Sequence, residues 1–577
     1  MWPFSSSYST GNISLFKQAQ RDERLSSVSM AVATSVNTSA ILSAGASEIV
    51  KHIEIGEWTA SQVLEAYIQR AAFAHQSTNC LTEVMFADAR EEARALDNEF
   101  EITKTVKGPL HGVPISFKDT FDVKGYDSTI GFGELANNPR TADAELVSLA
   151  RAAGGIPFVK TNVCQTMMTF ECANPIWGVT VHPQNKRYTS GGSSGGEAAL
   201  IAMGGSPLGF GNDIGGSLRI PAAYCGIYSL RPGTWRISGV GMTSALEGFE
   251  GIPTVMGPVC RSVDDVELAC RVVFGKGSNR EVSPMPFRDV QIPAKLRFGY
   301  YISDGFIKAS PACQRAVRET VEALMHQGHE CIPIVVPEPL THVELFAGLT
   351  SADGYKTLLA GVGRDPTDPG LFLTTLGPRL FGWFRSLAVW IISTFFGDDI
   401  FARCMRMSRT RSVAEYWQLV AKRDVYKQLF YDEVWEKHQL DGIIAPVQAL
   451  PQAQHGTCAK ASVLAAGTFL YNLLNLPVGV VPVSRVDPKR DQVTEEWSNP
   501  RIGEGHGSPL FERLLYGRGG LYDPVDMAGM PTAVQVIGRQ WEDEKVVGMM
   551  RVVDRALGPR WLLHSEVKDS VNLRDSR

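Results

Sequence analysis

Two stretches decide how this chain is read: Gly191-Gly192-Ser193-Ser194-Gly195-Gly196-Glu197 and Asn212-Asp213-Ile214-Gly215-Gly216-Ser217-Leu218-Arg219-Ile220-Pro221. Each places a serine among glycines, Ser193 in the first and Ser217 in the second. Glycine reaches positive φ and permits close backbone approach, so such loops can aim several N–H groups at one point. A hydroxyl inside a ring of N–H donors combines a nucleophile with a seat for an oxyanion. The pair implies acyl-transfer chemistry.

That chemistry needs a base. In Gly112-Val113-Pro114-Ile115-Ser116-Phe117-Lys118-Asp119 a short apolar run reads as a strand with Lys118 at its end. Lysine acts as a base only when neutral, and burial away from water lowers its pKa. A strand carrying Lys118 into the interior meets that demand. Asp213 and Arg219 flank the second serine loop and read as its support, an ion pair that would hold the loop amides in place.

Competing chemistries fit less well. Gly191-x-Ser193-x-Gly195 and Gly192-x-Ser194-x-Gly196 both match a nucleophile-elbow pentapeptide. That motif requires a preceding strand and a downstream acid and histidine. Here His182 to Tyr188 is polar and broken by Pro183, and no motif singles out one of the 11 histidines. No Gly-Lys-[Ser/Thr] follows the glycines, which excludes a phosphate loop. Ten cysteines without a C-x-x-C pair indicate neither zinc nor a disulfide scaffold, so no metal or other cofactor is expected. The reading is a reduced, intracellular location, cytoplasmic or peripheral on an intracellular membrane. A net charge of −5 gives no reason to expect nucleic acid.

With these three motifs in this order, the chain resembles the amidase signature family, and within it the fatty acid amide hydrolase branch. The likeness runs from about Gln18 to about Ala556 and includes Asp127-Ser128-Thr129-Ile130-Gly131, Pro157-Phe158-Val159-Lys160-Thr161-Asn162-Val163 and Gly529-Met530-Pro531-Thr532-Ala533-Val534-Gln535. The resemblance implies a Ser-Ser-Lys triad: Ser217 the acyl-forming nucleophile, Ser193 the bridge, Lys118 the terminal base and acid. It also implies a cis peptide between Gly192 and Ser193, and an oxyanion hole from the N–H groups of Ile214, Gly215, Gly216 and Ser217. Ser194 is expected in the lysine–serine network, Met167 against the acyl site, and a homodimer is suggested. Three positions depart from the pattern: Asn212 where the family commonly has threonine, Leu218 where it has isoleucine or valine, and Met168 where that branch has phenylalanine.

At 577 residues and 44% hydrophobic the chain can bury a large core. Positions 118, 193 and 217 must meet, so residues 46–560 read as one catalytic domain, between a polar tail at 1–45 and a C-terminal tail at 561–577. Met30 to Val50 is interrupted by Ser and Thr and is not read as a spanning helix. Thr59 and Gln62 form a capping box before an amphipathic helix to Ala71, and Asp143–Ala153 reads as a second helix. Strands are expected at 156–159, 208–211, 296–301, 331–336, 443–445, 477–483 and 533–537. Helices are expected at 195–203, from Ser217 onward, at 312–326 and at 541–555. This alternation predicts an α/β fold, a large twisted mixed sheet covered by helices on both faces. The polar, Gly-rich stretch 484–526 reads as a surface excursion.

One segment breaks the pattern. Leu380 to Phe401 holds Trp383, Phe384, Leu387, Trp390, Ile391, Ile392, Phe395 and Phe396, framed by Arg379, Arg385, Arg403, Arg406 and Arg409. Its uncharged run from Ser386 to Gly397 is too short to cross a bilayer. Aromatics beside arginines suit a helix lying in a membrane interface, and the resemblance to the fatty acid amide hydrolase branch implies that residues 380–410 form a membrane-binding cap over the substrate entrance, with peripheral membrane contact. A buried core helix is the other reading. The expected function is hydrolysis of carboxylic amides, favouring fatty acid amides. The alternatives are a small- or aryl-amide hydrolase of the acetamidase kind and, more remotely, a catalytically dead scaffold or an esterase of the α/β-hydrolase type.

Overall fold

The computed structural model describes residues 10–28, 38–277, 282–499, 502 and 504–560. Its centre is one mixed sheet of eleven strands. In chain order these are β1 (Leu81–Val84), β2 (Pro114–Lys118), β3 (Ile156–Thr161), β4 (Leu208–Asp213), β5 (Tyr228–Arg231), β6 (Val255–Cys260), β7 (Arg297–Tyr300), β8 (Glu330–Pro333), β9 (Gly442–Pro446), β10 (Val478–Arg485) and β11 (Pro531–Ile537). Across the sheet they run β1-β3-β2-β4-β6-β5-β10-β11-β9-β7-β8. The β3-β2-β4 block is parallel, as is β9-β7-β8; the remaining neighbours are antiparallel.

Most inner strands are buried along their whole length, as a sheet covered on both faces requires. Val480 and Val481, adjacent on β10, belong to different apolar clusters, because successive side chains leave opposite faces. One cluster gathers the helices Ala60–Thr78, Val263–Val273, Pro311–His326 and Asp543–Leu557. The other gathers Arg219–Cys225, part of Gly195–Ala202 and the 457–470 region. The capping box forms as read: Thr59 Oγ1 accepts the Gln62 N–H at 3.1 Å, and Gln62 Oε1 accepts that of Thr59 at 3.0 Å.

The parallel pairing of β2 with β4 positions the site. Phe117 lies opposite Phe210, so Lys118 at the end of β2 and Asn212-Asp213 at the end of β4 emerge at one edge. Carboxyl ends of parallel strands are where open α/β sheets place their chemistry. The helix Gly195–Ala202 starts directly after the first serine loop and is buried throughout. It can sit so close because of Gly196, where a Cβ would come within 2.3 Å of the Asn162 backbone nitrogen.

Three expectations change. The supposed polar tail contains the helix Thr10–Ser26, docked by charge rather than by apolar area. Its Lys17 is buried between Glu83 and Asp127, at 2.5 and 2.8 Å, and its Arg21 donates to the Leu81 carbonyl at 3.0 Å. The 484–526 stretch is not merely superficial: Trp497, Phe511, Leu515 and Tyr522 are buried in it. The helix after the second serine loop begins at Arg219 rather than at Ser217. Residues 561–577 and the first nine positions lie outside the described residues.

Candidate active site

Lys118 is fully buried at the end of β2. Its Nζ lies 2.7 Å from Ser193 Oγ and 2.5 Å from Asn212 Oδ1. Burial lowers its pKa to about 8, since the charged form has lost its hydration; nearby Cys164, Asp213, Cys172 and Glu197 act the other way. The peptide between Gly192 and Ser193 is cis. Ser193 and Ser217 line one small cavity of about 360 Å3 together with Asn212 and Met242. The Ser217 carbonyl accepts the N–H of Ser194 at 3.3 Å, tying the two serine loops to each other. Ser194 Oγ reaches the Asn212 carbonyl at 3.5 Å, so this side chain braces backbone and does not touch the lysine.

The second loop is shaped by Asp213. Its carboxylate accepts the N–H of Gly216 at 2.8 Å and of Leu218 at 3.1 Å, the Nε of Arg219 at 3.1 Å and the Nδ2 of Asn472 at 2.8 Å. Burial alone would raise the pKa of Asp213, but Arg219 and Arg231 outweigh it and hold the carboxyl well below its ordinary range. Arg219, also fully buried, donates onward to the Thr468 carbonyl and Gln535 Oε1, each at 3.0 Å. The expected support pair is therefore the hub of a network spanning the loop, β11 and the helix Ala466–Leu473.

The Gly216 N–H is engaged by Asp213, whereas those of Ile214, Gly215 and Ser217 donate no hydrogen bond among the described residues. Three of the four loop amides named in the sequence reading, those of Ile214, Gly215 and Ser217, therefore have no protein acceptor among the described residues. Gly216 itself has φ +132°, and a Cβ there would come within 2.4 Å of Thr468 Oγ1. Only glycine fits that turn.

An apolar cavity of about 930 Å3, open to solvent, begins at Ser217 and Gly192. Met167 and Met168 line it beside the reacting end, and Phe346 and Phe469 stack face to face there with centroids 3.6 Å apart. Its lining also includes Leu373 of the helix Phe372–Arg379 and Phe401 and Met405 of the helix Asp399–Met407. Between those helices lies Gly382–Phe395, where Val389 is the one buried residue. Trp383 is 65% exposed and Phe395 71%, with Phe381, Phe384, Trp390 and Phe396 exposed beside them. The buried-core reading of this segment fails. No helix among the described residues is long and apolar enough to cross a membrane.

Two contributors escaped the sequence reading although both stand inside the quoted motifs. Glu197 is fully buried, accepts the hydroxyls of Ser116 and Thr161, and is pushed up to about 7 by burial. In the sequence Asn212 stands out only as a departure from the family pattern; its contact to Lys118 depends on the β2–β4 pairing, which no local pattern announces.

The amidase family model matches residues 62–547, and the chain belongs to the amidase signature family. Fatty-acid amide hydrolase 1 of Sus scrofa is 32% identical over 89% of this chain and 85% of its own length. Acetamidase of Emericella nidulans is 34% identical, covering 90% of each chain. A solved fatty acid amide hydrolase structure superposes with a TM-score of 0.80 at 28% identity, covering 97% of this chain and 92% of that one. The molecule is accordingly an amide hydrolase.

Proposed function

We propose that the enzyme hydrolyses long-chain fatty acyl amides drawn from a lipid surface, through an acyl-enzyme on Ser217. The observation carrying the substrate class is the apolar cavity that Ser217 shares with the two helices flanking the exposed aromatic helix. An apolar patch of that kind, with exposed Arg379 and Arg406 beside it, suits an interfacial helix meeting anionic headgroups. The helix thereby places the cavity mouth against the phase in which such substrates dissolve.

The chemistry follows from the buried amine. Neutral Lys118 takes the Ser193 proton while Ser193 takes that of Ser217, whose Oγ attacks the carbonyl carbon. The resulting oxyanion is held by the N–H groups of Ile214, Gly215 and Ser217, whose aim is fixed by Asp213 and Arg219. The proton returns through Ser193 to the leaving nitrogen, and the C–N bond breaks. Water then repeats the sequence on the acyl-enzyme and frees the carboxylic acid. Met167 packs along the first carbons of the acyl chain.

A second reading, a short-chain amidase, is kept in view by the acetamidase relative, which is as similar as the fatty-acid amide hydrolase. The test is hydrolysis of primary amides from two to about twenty carbons, with and without anionic liposomes. Rates that climb with chain length and with vesicle binding support the proposal; a maximum at two to four carbons, indifferent to vesicles, refutes it. For the mechanism, Ser217→Ala must lose both turnover and acyl-enzyme formation by intact-protein mass spectrometry.

A further inference from the structure

We propose that Asn212 is a positioning residue for the base: its side-chain carbonyl takes an N–H of Lys118 and so turns the amine lone pair onto the Ser193 hydroxyl. The inference rests on the reading of Lys118 as the base given above. Among the described residues, Lys118 Nζ has two hydrogen-bond partners, Asn212 Oδ1 at 2.5 Å and Ser193 Oγ at 2.7 Å. A neutral amine carries two N–H bonds and one lone pair. An amide oxygen bears no hydrogen and can only accept, whereas a serine hydroxyl can donate. The two contacts therefore sort themselves: an N–H toward Asn212, the lone pair toward Ser193.

The arrangement works only with the carboxamide in one orientation. Turned over, its NH2 would donate to the amine lone pair and occupy the atom that must receive the Ser193 proton. What fixes the orientation lies on the other side. Asn212 Nδ2 stands 3.0 Å from Met242 Sδ and 3.3 Å from Thr120 Oγ1. A thioether sulfur accepts and never donates, so the NH2 belongs on the Met242 side and the oxygen on the lysine side. The order of donors thus runs from Asn212 Nδ2 at Met242, through Oδ1, to the lysine N–H.

The residue type also suits the task. Asn212 offers an acceptor without a charge. A carboxylate at 2.5 Å would hold the amine protonated, and an apolar side chain would leave it free to rotate. Asn212 is the penultimate residue of β4, and β2, which ends in Lys118, is paired in parallel with β4. The other titratable groups acting on the amine are Asp213, Glu197, Cys164 and Cys172. They are unchanged in every variant below.

The test measures kcat and KM from pH 6 to 10 on a soluble short-chain amide for the wild type and for Asn212→Leu, Asn212→Asp and Asn212→Thr, with Lys118→Ala alongside. Asn212→Leu is expected to lose kcat on the order of 10- to 100-fold with KM little changed, the size of loss typical for a group that orients another. Asn212→Asp is expected to move the acidic limb of the kcat profile upward by about one pH unit or more, because the carboxylate favours the charged amine. Asn212→Thr, which restores an uncharged acceptor, recovers part of what the leucine variant loses. A leucine variant with wild-type kcat, or an aspartate variant whose acidic limb stays in place, overturns the assignment. Thermal transitions check folding; should the leucine variant not fold, the isosteric aspartate variant decides alone. Sustained turnover by Lys118→Ala would instead refute the reading of the base itself. Loss of activity in Lys118→Ala beside a fully active leucine variant removes only the role given to Asn212.

Discussion

Replacing Lys118 by methionine separates what the amine does for catalysis from what it costs the fold. Its pKa of about 8 lies below the ordinary lysine value of 10.5, with burial the principal cause. The folded state therefore disfavours the proton that the unfolded chain holds. The sign is that of a buried cation: the cost is full below about 8 and fades as pH rises to 10.5. At about 1.4 kcal/mol for each pH unit, that gap amounts to about 3 kcal/mol at pH 7 and under about 1 kcal/mol at pH 10. The variant also loses the contacts to Ser193 and Asn212, but that loss is nearly the same at both pH values and cancels between them. Urea unfolding of wild type and Lys118→Met at pH 7 and pH 10 is the assay. The wild type is expected to gain about 2 to 3 kcal/mol relative to the variant between the two, while the variant hydrolyses nothing at either. A stability difference that does not change with pH would show the lysine equally charged in both states, and the proton relay would fail with it.

Four further outcomes are expected. Wild-type kcat should rise with pH through about 8 as Lys118 becomes neutral, read from initial rates on a soluble amide. Asp213→Asn leaves the buried guanidinium of Arg219 without its charged partner and should destabilise the protein by about 3 to 5 kcal/mol, measured by urea titration, with activity lost as well. Gly216→Ala drives a methyl group against Thr468 and Ile220 at a φ of +132°, so kcat should collapse even where the thermal transition shows a folded protein. Replacing Trp383, Trp390 and Phe395 together by serine should abolish flotation with anionic vesicles while leaving short-chain amide turnover within about two-fold, since these side chains are exposed and outside the cavity lining.

The serine loops were legible because glycine and serine report backbone requirements directly. A turn that needs bare amides can be built from few residue types, so Gly191 to Gly196 and Gly215 to Ser217 announce themselves. Strand β2 was legible for a related reason, as an apolar run ending in a single charge. By contrast, β5 and β6 went unread: β5 is four residues long and ends in Arg231, and β6 is broken by Gly257 and Pro258, so neither shows a period. The Thr10–Ser26 helix is not legible in the sequence, because its buried residues are the charged Lys17 and Arg21 rather than apolar ones. Lys17 is buried through carboxylates from distant segments, which no local pattern contains. The same holds for the Lys118–Asn212 contact, a product of strand order. Composition misled over 484–526, where a polar average conceals Trp497, Phe511 and Tyr522 turned inward.

The docking of that first helix bears on how the protein tolerates trimming. Glu83 and Asp127 are each only 2 to 3% exposed, and Lys17 is the cation they share. A shortened chain beginning after Ser26 would leave two acids facing each other in a dry crevice, with Arg24 gone as well. Such a version should be less stable than the full chain, because the two carboxylates stay buried and lose the cation they share. Leading residues that resemble dispensable padding would then act as a counterion delivered by the chain itself.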